Sequence, residues 1–135
     1  MGIVIDTDVL ILADRGRVAL DLGRFRDEEM AYISAITASE LLVGVLRAQD
    51  SAVSARRTAF VENLLAALPT LPVDLETARV HAQLLAHLPS HETIGAHDAL
   101  IGATALRHGY AVLTRNVRDF RKLAGVRVLE YTVAS

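Results

Sequence analysis

The segment Ile3-Val4-Ile5-Asp6 places an acid directly after three β-branched apolar residues near the start of this 135-residue chain. A short apolar run predicts a buried strand, because a strand covered on both faces needs no alternation of polar and apolar side chains. An acid at the end of such a strand is costly to bury without a partner. The segment therefore predicts a buried strand that ends at an acid with a partner.

Strand patterns alternate with helical patterns along the rest of the chain. We predict further strands at residues 32–34, 71–73, 111–114 and 126–131, the one with Pro72 lying at a sheet edge. Predicted helices cover residues 10–14, 37–46, 54–68, 74–88, 96–108 and 116–123. The alternation predicts a single domain over residues 1–135, a three-layer α/β/α fold with a central, mainly parallel sheet of four to five strands.

Composition supports this fold and excludes several kinds of site. Hydrophobic residues make up 52% of the chain, enough for a core on both faces of a sheet. The chain has no cysteine, which excludes disulfides, thiolate metal sites and cysteine nucleophiles. The first residues carry no basic stretch, and no apolar run approaches the ~18 residues of a membrane span. We therefore expect a cytoplasmic protein that does not contact the membrane.

Four acids are predicted at the edge of the sheet where the strands end. One ends the first strand and three lie in first turns of helices that start at this edge; they are Asp6, Glu40, Asp98 and Asp119. Ligands of open α/β sheets bind at this edge. Clustered carboxylates repel one another and need a cation, and their hard oxygen atoms select Mg²⁺ or Mn²⁺. Such a site can polarise phosphate and activate water.

Three of these acids also have a purely structural interpretation. Glu40 lies three residues after Thr37, and Asp119 three after Asn116, both of which match helix-capping patterns. Asp98 would favour a helix N-terminus through the helix dipole. These interpretations stay open, but capping alone does not explain why all four acids are predicted at one edge.

Four segments resemble, in order, the PIN domain and more narrowly the VapC-type toxins of bacterial toxin–antitoxin pairs. They read IVIDTDVL (3–10), TASEL (37–41), HDALIGATA (97–105) and TRNVRDF (114–120). The resemblance covers nearly the whole chain. It implies an endoribonuclease dependent on Mg²⁺ or Mn²⁺ that hydrolyses phosphodiester bonds of tRNA, rRNA or mRNA. It further implies homodimers and inhibition by a cognate, VapB-like antitoxin.

The resemblance also implies roles for individual residues. Asp6 and Asp98 would be the principal metal ligands, Glu40 would support them and Asp119 would complete the site. Three polar neighbours would support these carboxylates: Thr7, Thr114 and Asn116. Asn116 stands where many relatives have another acid, so the number of metal ions is left open. Asp8 either faces the site or caps a helix.

Charge gives only local support for RNA binding. The formal net charge is −2, which does not favour a nucleic-acid partner by itself. All basic residues except Lys122 are arginines, which suit bidentate phosphate contacts. We predict that RNA is held by local cations at Arg115, Arg118 and Arg121. A solvated helix face is the alternative interpretation of this stretch.

Two helices carry more apolar surface than one side of a small sheet requires. The residues concerned are Val43, Leu46, Val61, Leu64 and Leu65. An excess of apolar surface predicts a partner, here a homodimer together with a groove for the antitoxin.

Two other functions fit parts of the sequence. The segment Asp6-Thr7-Asp8 after an apolar strand matches a haloacid-dehalogenase-like phosphatase, with Asp6 as nucleophile and Asp8 as acid and base. That chemistry needs a lysine, and the only one is Lys122, in a stretch that also fits an exposed helix. The second alternative is a catalytically inactive PIN-like interaction module, which would not need all four acids.

Overall fold

The structure is a computed structural model that describes residues 2–14 and 30–132. Within them the elements are, in chain order, β1 (Gly2–Ile5), α1 (Thr7–Asp14), β2 (Met30–Ser34), α2 (Ala35–Arg47), α3 (Ser51–Ala67), β3 (Thr70–Leu71), α4 (Leu75–His87), α5 (Ala96–His108), β4 (Ala111–Thr114), α6 (Val117–Phe120) and β5 (Arg127–Glu130). The sequence also predicts that the first helix breaks near Gly16, a residue that lies outside the described ranges.

The five strands form one parallel sheet in the order β3-β2-β1-β4-β5. β1 is central, and its Val4 pairs with Tyr32 of β2 and with Val112 of β4. The predicted parallel sheet and the predicted burial of the first strand are therefore confirmed. β3 lies at an edge as expected but ends before Pro72, because proline has no N–H to continue the ladder.

Helices cover both faces of the sheet, which makes the fold three-layered. Successive residues of a strand point to opposite faces, so β1 contributes to two apolar cores. Ile3 and Ile5 pack in one core with residues of α1, α2 and α3. Val4 packs in the other core with residues of α4, α5 and α6. Because both faces are covered, every residue of β1 and of β4 is buried.

The helix ends agree with the sequence patterns at some positions and differ at others. Asp74 caps α4, its Oδ1 accepting a hydrogen bond of 3.0 Å from the N–H of Thr77, and Gly109 ends α5 with a φ of 73°. The Thr37 capping box is wrong, because α2 starts at Ala35 and Ser34 is its cap. β2 leads directly into α2, so Thr37 lies inside the helix and is buried.

The predicted apolar surface on α2 and α3 is only partly free. Val61 and Leu64 are buried in the core, so they belong to the fold and not to an interface. Val43 and Leu46 are exposed, Leu46 by 84%, and Leu42 lies beside them. We call Leu42, Val43 and Leu46 the apolar row of α2. In the described ranges no helix is long and apolar enough to cross a membrane.

Candidate active site

Asp6 lies where the two central strands end, directly after β1. Its side chain is buried, and the hydroxyl of Thr114 at the end of β4 donates a 2.7 Å hydrogen bond to its Oδ2. The backbone N–H of Asp6 donates to the carbonyl of Leu113, which continues the pairing of the two strands. The predicted supporting residue Thr114 therefore touches the carboxylate that ends β1.

The environment of Asp6 disfavours its charged form. Burial raises the pKa of the carboxyl from 3.8 to about 7, although the hydrogen bond from Thr114 favours the charged form. The carboxylates of Asp8 and Asp98 raise the pKa further. Near neutral pH, Asp6 thus needs either a proton or a nearby cation.

Asp98 lies in the first turn of α5, as predicted, and shares this electrostatic environment. Its pKa is raised by partial burial and then by the negative charges of Asp8, Asp119 and Glu40. The contrast with Asp74 is informative, because hydrogen bonds from Thr77 lower the pKa of that true capping carboxylate. Asp98 therefore behaves as a member of a carboxylate group and not as a helix cap.

Glu40 reaches the same edge from the second turn of α2, not from its first turn. The hydroxyl of Thr7 donates to Oε1 of Glu40 at 2.9 Å and also lies 3.0 Å from the hydroxyl of Thr37. The Nδ1 atom of His97 is 3.3 Å from Oε2. Both carboxylate oxygens are thus oriented by neighbours on α1 and α5. His97 is a site neighbour that the sequence analysis missed.

Asp119 lies in the first turn of α6, but its surroundings differ from those of Asp6 and Asp98. The side-chain amide of Asn116 donates to Oδ2 at 2.8 Å, and Nζ of Lys122 is 3.2 Å from Oδ1. These hydrogen bonds lower the pKa of Asp119. Asn116 occupies the cap position of α6 but orients Asp119 instead of capping the helix. Its backbone N–H donates to Thr114, 2.8 Å away.

Asp8 completes the group of acids and was left undecided by the sequence. It is the exposed residue in the first turn of α1, and it is the largest like-charge contribution to the raised pKa of both Asp6 and Asp98. The carboxylate of Asp8 is therefore close enough to both groups to disfavour their charged forms.

The donor set fits one hard divalent cation. All candidate ligands are carboxylate oxygens, and the pKa values of Asp6 and Asp98 are raised by burial and by neighbouring carboxylates. In residues 2–14 and 30–132 no three acidic or histidine side chains are gathered closely enough to hold a metal ion by themselves. Mg²⁺ commonly uses one or two carboxylates and keeps several waters, so the arrangement suits it.

Three arginines lie on or next to α6. Arg115 follows β4 directly, Arg118 belongs to α6 and Arg121 follows α6. All three side chains are exposed. Their exposure fits both predictions made from the sequence, a contact with phosphate and a solvated surface.

Comparison with known proteins shows which family this chain resembles. The family model of the PIN domain matches residues 3–126. Ribonuclease VapC1 of Rickettsia felis is 39% identical over 100% of this chain and 98% of its own length. A tRNA(fMet)-specific endonuclease VapC of Salmonella typhimurium is 29% identical over 95% of this chain and 96% of its own.

A solved structure extends the similarity to three dimensions. The crystal structure of VapBC-5 from Mycobacterium tuberculosis, a member of the VapBC family of toxin–antitoxin systems, aligns with a TM-score of 0.76 at 30% identity. The alignment covers 98% of each chain. The chain therefore belongs to the PIN domain family and, within it, to the VapC ribonucleases.

Proposed function

We propose that this protein is the toxin of a toxin–antitoxin pair and cleaves RNA with the help of Mg²⁺ or Mn²⁺ at Asp6, Asp98, Glu40 and Asp119. One observation carries the metal proposal. Asp6 and Asp98 lie at the same sheet edge, burial raises the pKa of both carboxyls, and the negative charge of Asp8 raises both further. A divalent cation would relieve this repulsion and hold both groups in the charged form.

The residues of the site would divide the work. Asp6 and Asp98 would bind the cation, which supplies polarisation of the phosphate and a water of lowered pKa. Thr114 keeps Asp6 oriented through its 2.7 Å hydrogen bond. Thr7 orients Glu40, and Asn116 orients Asp119. Three of the four carboxylates, those of Asp6, Glu40 and Asp119, thus have a neighbour that fixes their direction before substrate binds, which lowers the reorganisation needed for catalysis.

The substrate would be RNA, held by its phosphates. Arg115, Arg118 and Arg121 are exposed beside the carboxylates and offer the positive charge that the chain as a whole lacks. The Salmonella relative is named for cleavage of an initiator tRNA, so tRNA is the first class of RNA to test. rRNA and mRNA are the other two classes to compare.

The partners would be a VapB-like antitoxin and a second copy of the chain. The solved relative is a complex of the VapBC family, and the present chain matches nearly its whole length. The apolar row of α2 is surface that a partner would cover.

Cleavage of RNA by purified protein tests the proposal. We expect cleavage of a tRNA pool with Mg²⁺ or Mn²⁺, none with EDTA, and none by the Asp98→Asn variant. A folded protein that leaves every RNA class intact with either metal would favour the inactive interaction module instead. Turnover of p-nitrophenyl phosphate would favour the phosphatase. That chemistry needs a lysine near Asp6, but Lys122 pairs with Asp119 and Glu92, and the side-chain hydrogen bond to Asp6 comes from Thr114.

A further inference from the structure

The single lysine of the chain has three acceptors at the border of the site. Nζ of Lys122 is 3.2 Å from Oδ1 of Asp119, 3.3 Å from Oε2 of Glu92 and 2.9 Å from the carbonyl oxygen of Thr93. A lysine ammonium has three N–H donors, so each donor has one acceptor here. The side chain is only 20% exposed. Lys122 is therefore held in place and is not a mobile surface cation.

Asp119, the carboxylate that Lys122 contacts, has both oxygens engaged. Oδ1 faces the ammonium of Lys122, and Oδ2 accepts the 2.8 Å hydrogen bond from the amide of Asn116. The pKa of Asp119 is lowered, whereas the pKa values of Asp6 and Asp98 are raised. The carboxylates thus fall into two groups. Asp119 has an ammonium beside it, whereas no lysine or arginine within residues 2–14 and 30–132 forms an ion pair with Asp6 or Asp98.

A metal ion on Asp119 would have to share Oδ1 with this ammonium or Oδ2 with the amide of Asn116. Mg²⁺ binds carboxylate oxygens at about 2.0–2.1 Å, so an ion on Oδ1 would stand within about 5.3 Å of Nζ at its present position. Two like charges at that distance, in a partly buried site, repel strongly. Asn116 does not compensate, because it presents an N–H donor to Asp119 and not a further anionic ligand.

We propose that Lys122 takes the place of a second metal ion at Asp119, so that the site binds one divalent cation per chain, through Asp6 and Asp98. The inference rests on the proposed metal-dependent function and specifies its stoichiometry. Lys122 is a positioning residue in this scheme, since it acts through Asp119. It also ties α6 to Glu92 and Thr93, in the segment that leads to α5 and Asp98.

Binding of Mn²⁺ alone, followed by electron paramagnetic resonance of the free ion, tests this proposal without any RNA. We expect one Mn²⁺ per wild-type chain. Lys122→Met removes the ammonium and keeps most of the side-chain length, so it should bind two. Lys122→Arg keeps the charge and should bind one. Arg121→Met removes the same charge from the adjacent, exposed position and should also bind one.

Two results would overturn the proposal. One is a wild-type chain that binds two Mn²⁺ ions; this number can be measured whether or not any variant folds. The other is a Lys122→Met chain that has a native circular dichroism spectrum and still binds one; Lys122→Gln provides the same comparison if the methionine variant does not fold. A wild-type chain that binds no Mn²⁺ would refute the proposed metal dependence itself, and this outcome is distinct from the other two.

Discussion

The hydroxyl of Thr114 donates a 2.7 Å hydrogen bond to Oδ2 of Asp6 across the ends of two neighbouring strands. The same oxygen of Thr114 accepts a hydrogen bond from the backbone N–H of Asn116. Thr114 therefore links the buried acid of β1 to the turn that carries Asn116 and Asp119. This hydrogen bond favours the charged carboxylate, so it partly offsets the rise in the pKa of Asp6 that burial causes.

Replacing Thr114 with valine should raise the pKa of Asp6 above its value of about 7. A hydrogen bond to a charged group is worth about 1.5–3 kcal/mol, which corresponds to about 1–2 pKa units. Protons compete with metal for the carboxylate, so the pH midpoint of Mn²⁺ affinity should rise by this amount. Thr114→Ser keeps the hydroxyl and should keep the wild-type midpoint. Equal midpoints in all three proteins would show that the hydroxyl does not tune Asp6.

The metal-free protein should lose stability as the pH rises from about 4 to about 7. Over this range folded Asp6 holds a proton that the unfolded chain, with a carboxyl pKa of 3.8, has released. The folded state thus binds more protons, and the free energy of unfolding falls with pH. The full effect is on the order of 4 kcal/mol. Urea unfolding in EDTA at pH 5 and pH 7.5 measures the larger part of this effect, about 2 to 3 kcal/mol.

The matched variant for this pH prediction is Asp6→Asn, which cannot titrate at this position. Its stability should depend less on pH between 5 and 7.5, and Mg²⁺ should stabilise wild type at pH 7.5 more than it stabilises the variant. If wild type and variant show the same pH dependence, the folded pKa of Asp6 is not raised.

Asp98→Asn should leave the metal-free protein equally or more stable, because it removes one of several repelling charges. It should also reduce the rise in melting temperature that Mg²⁺ causes. Asp74→Ala provides the contrast, since Asp74 caps α4 and loss of the cap should lower the melting temperature without changing the response to Mg²⁺. Thermal melts with EDTA and with Mg²⁺ compare them. An Asp98→Asn protein that behaves like Asp74→Ala would assign Asp98 to the helix end.

Replacing Arg115, Arg118 and Arg121 with alanine should weaken RNA binding and reduce its salt dependence. Each lost phosphate contact lowers the slope of log K against log salt by about 0.7–0.9, so the triple variant should lose about 2 to 3 units. Binding is measured in the Asp98→Asn background to prevent cleavage. Arg79→Ala is the control, because Arg79 pairs with Glu76 on α4. An unchanged slope would show that the three arginines do not contact phosphate and form a solvated surface.

The apolar row of α2 should stabilise a homodimer. Leu46 is 84% exposed, so Leu46→Glu should not disturb the core and should shift the protein toward monomer at micromolar concentration. Leu85→Glu makes the same change at an exposed position on α4 and should leave the dimer intact. Light scattering with size exclusion measures the mass. A wild-type monomer, or a Leu46→Glu protein that stays dimeric, would contradict this assignment of the row.

Local patterns in the sequence were enough to predict the sheet. The apolar run before Asp6, the glycine after α5 and the Asp74 cap each depend on residues within one turn or one strand of each other. These short-range preferences locate strands and helix ends with little reference to the rest of the chain. The parallel order then follows from the alternation of elements, and it brings the acid-bearing ends to one edge.

The tertiary structure alone decided which groups meet at that edge. Asp6 and Thr114 are 108 residues apart, and Lys122 reaches Thr93 across 29 residues. Lys122 pairs with Asp119 at a local i,i+3 spacing, but no local pattern indicates that it also reaches Glu92. Nor does one indicate that Thr7, and not the helix N-terminus, orients Glu40. The start of α2 shows the reason. Ser34 and Thr37 are both acceptable caps by type, and burial of Thr37 against the core, a long-range packing effect, selected Ser34.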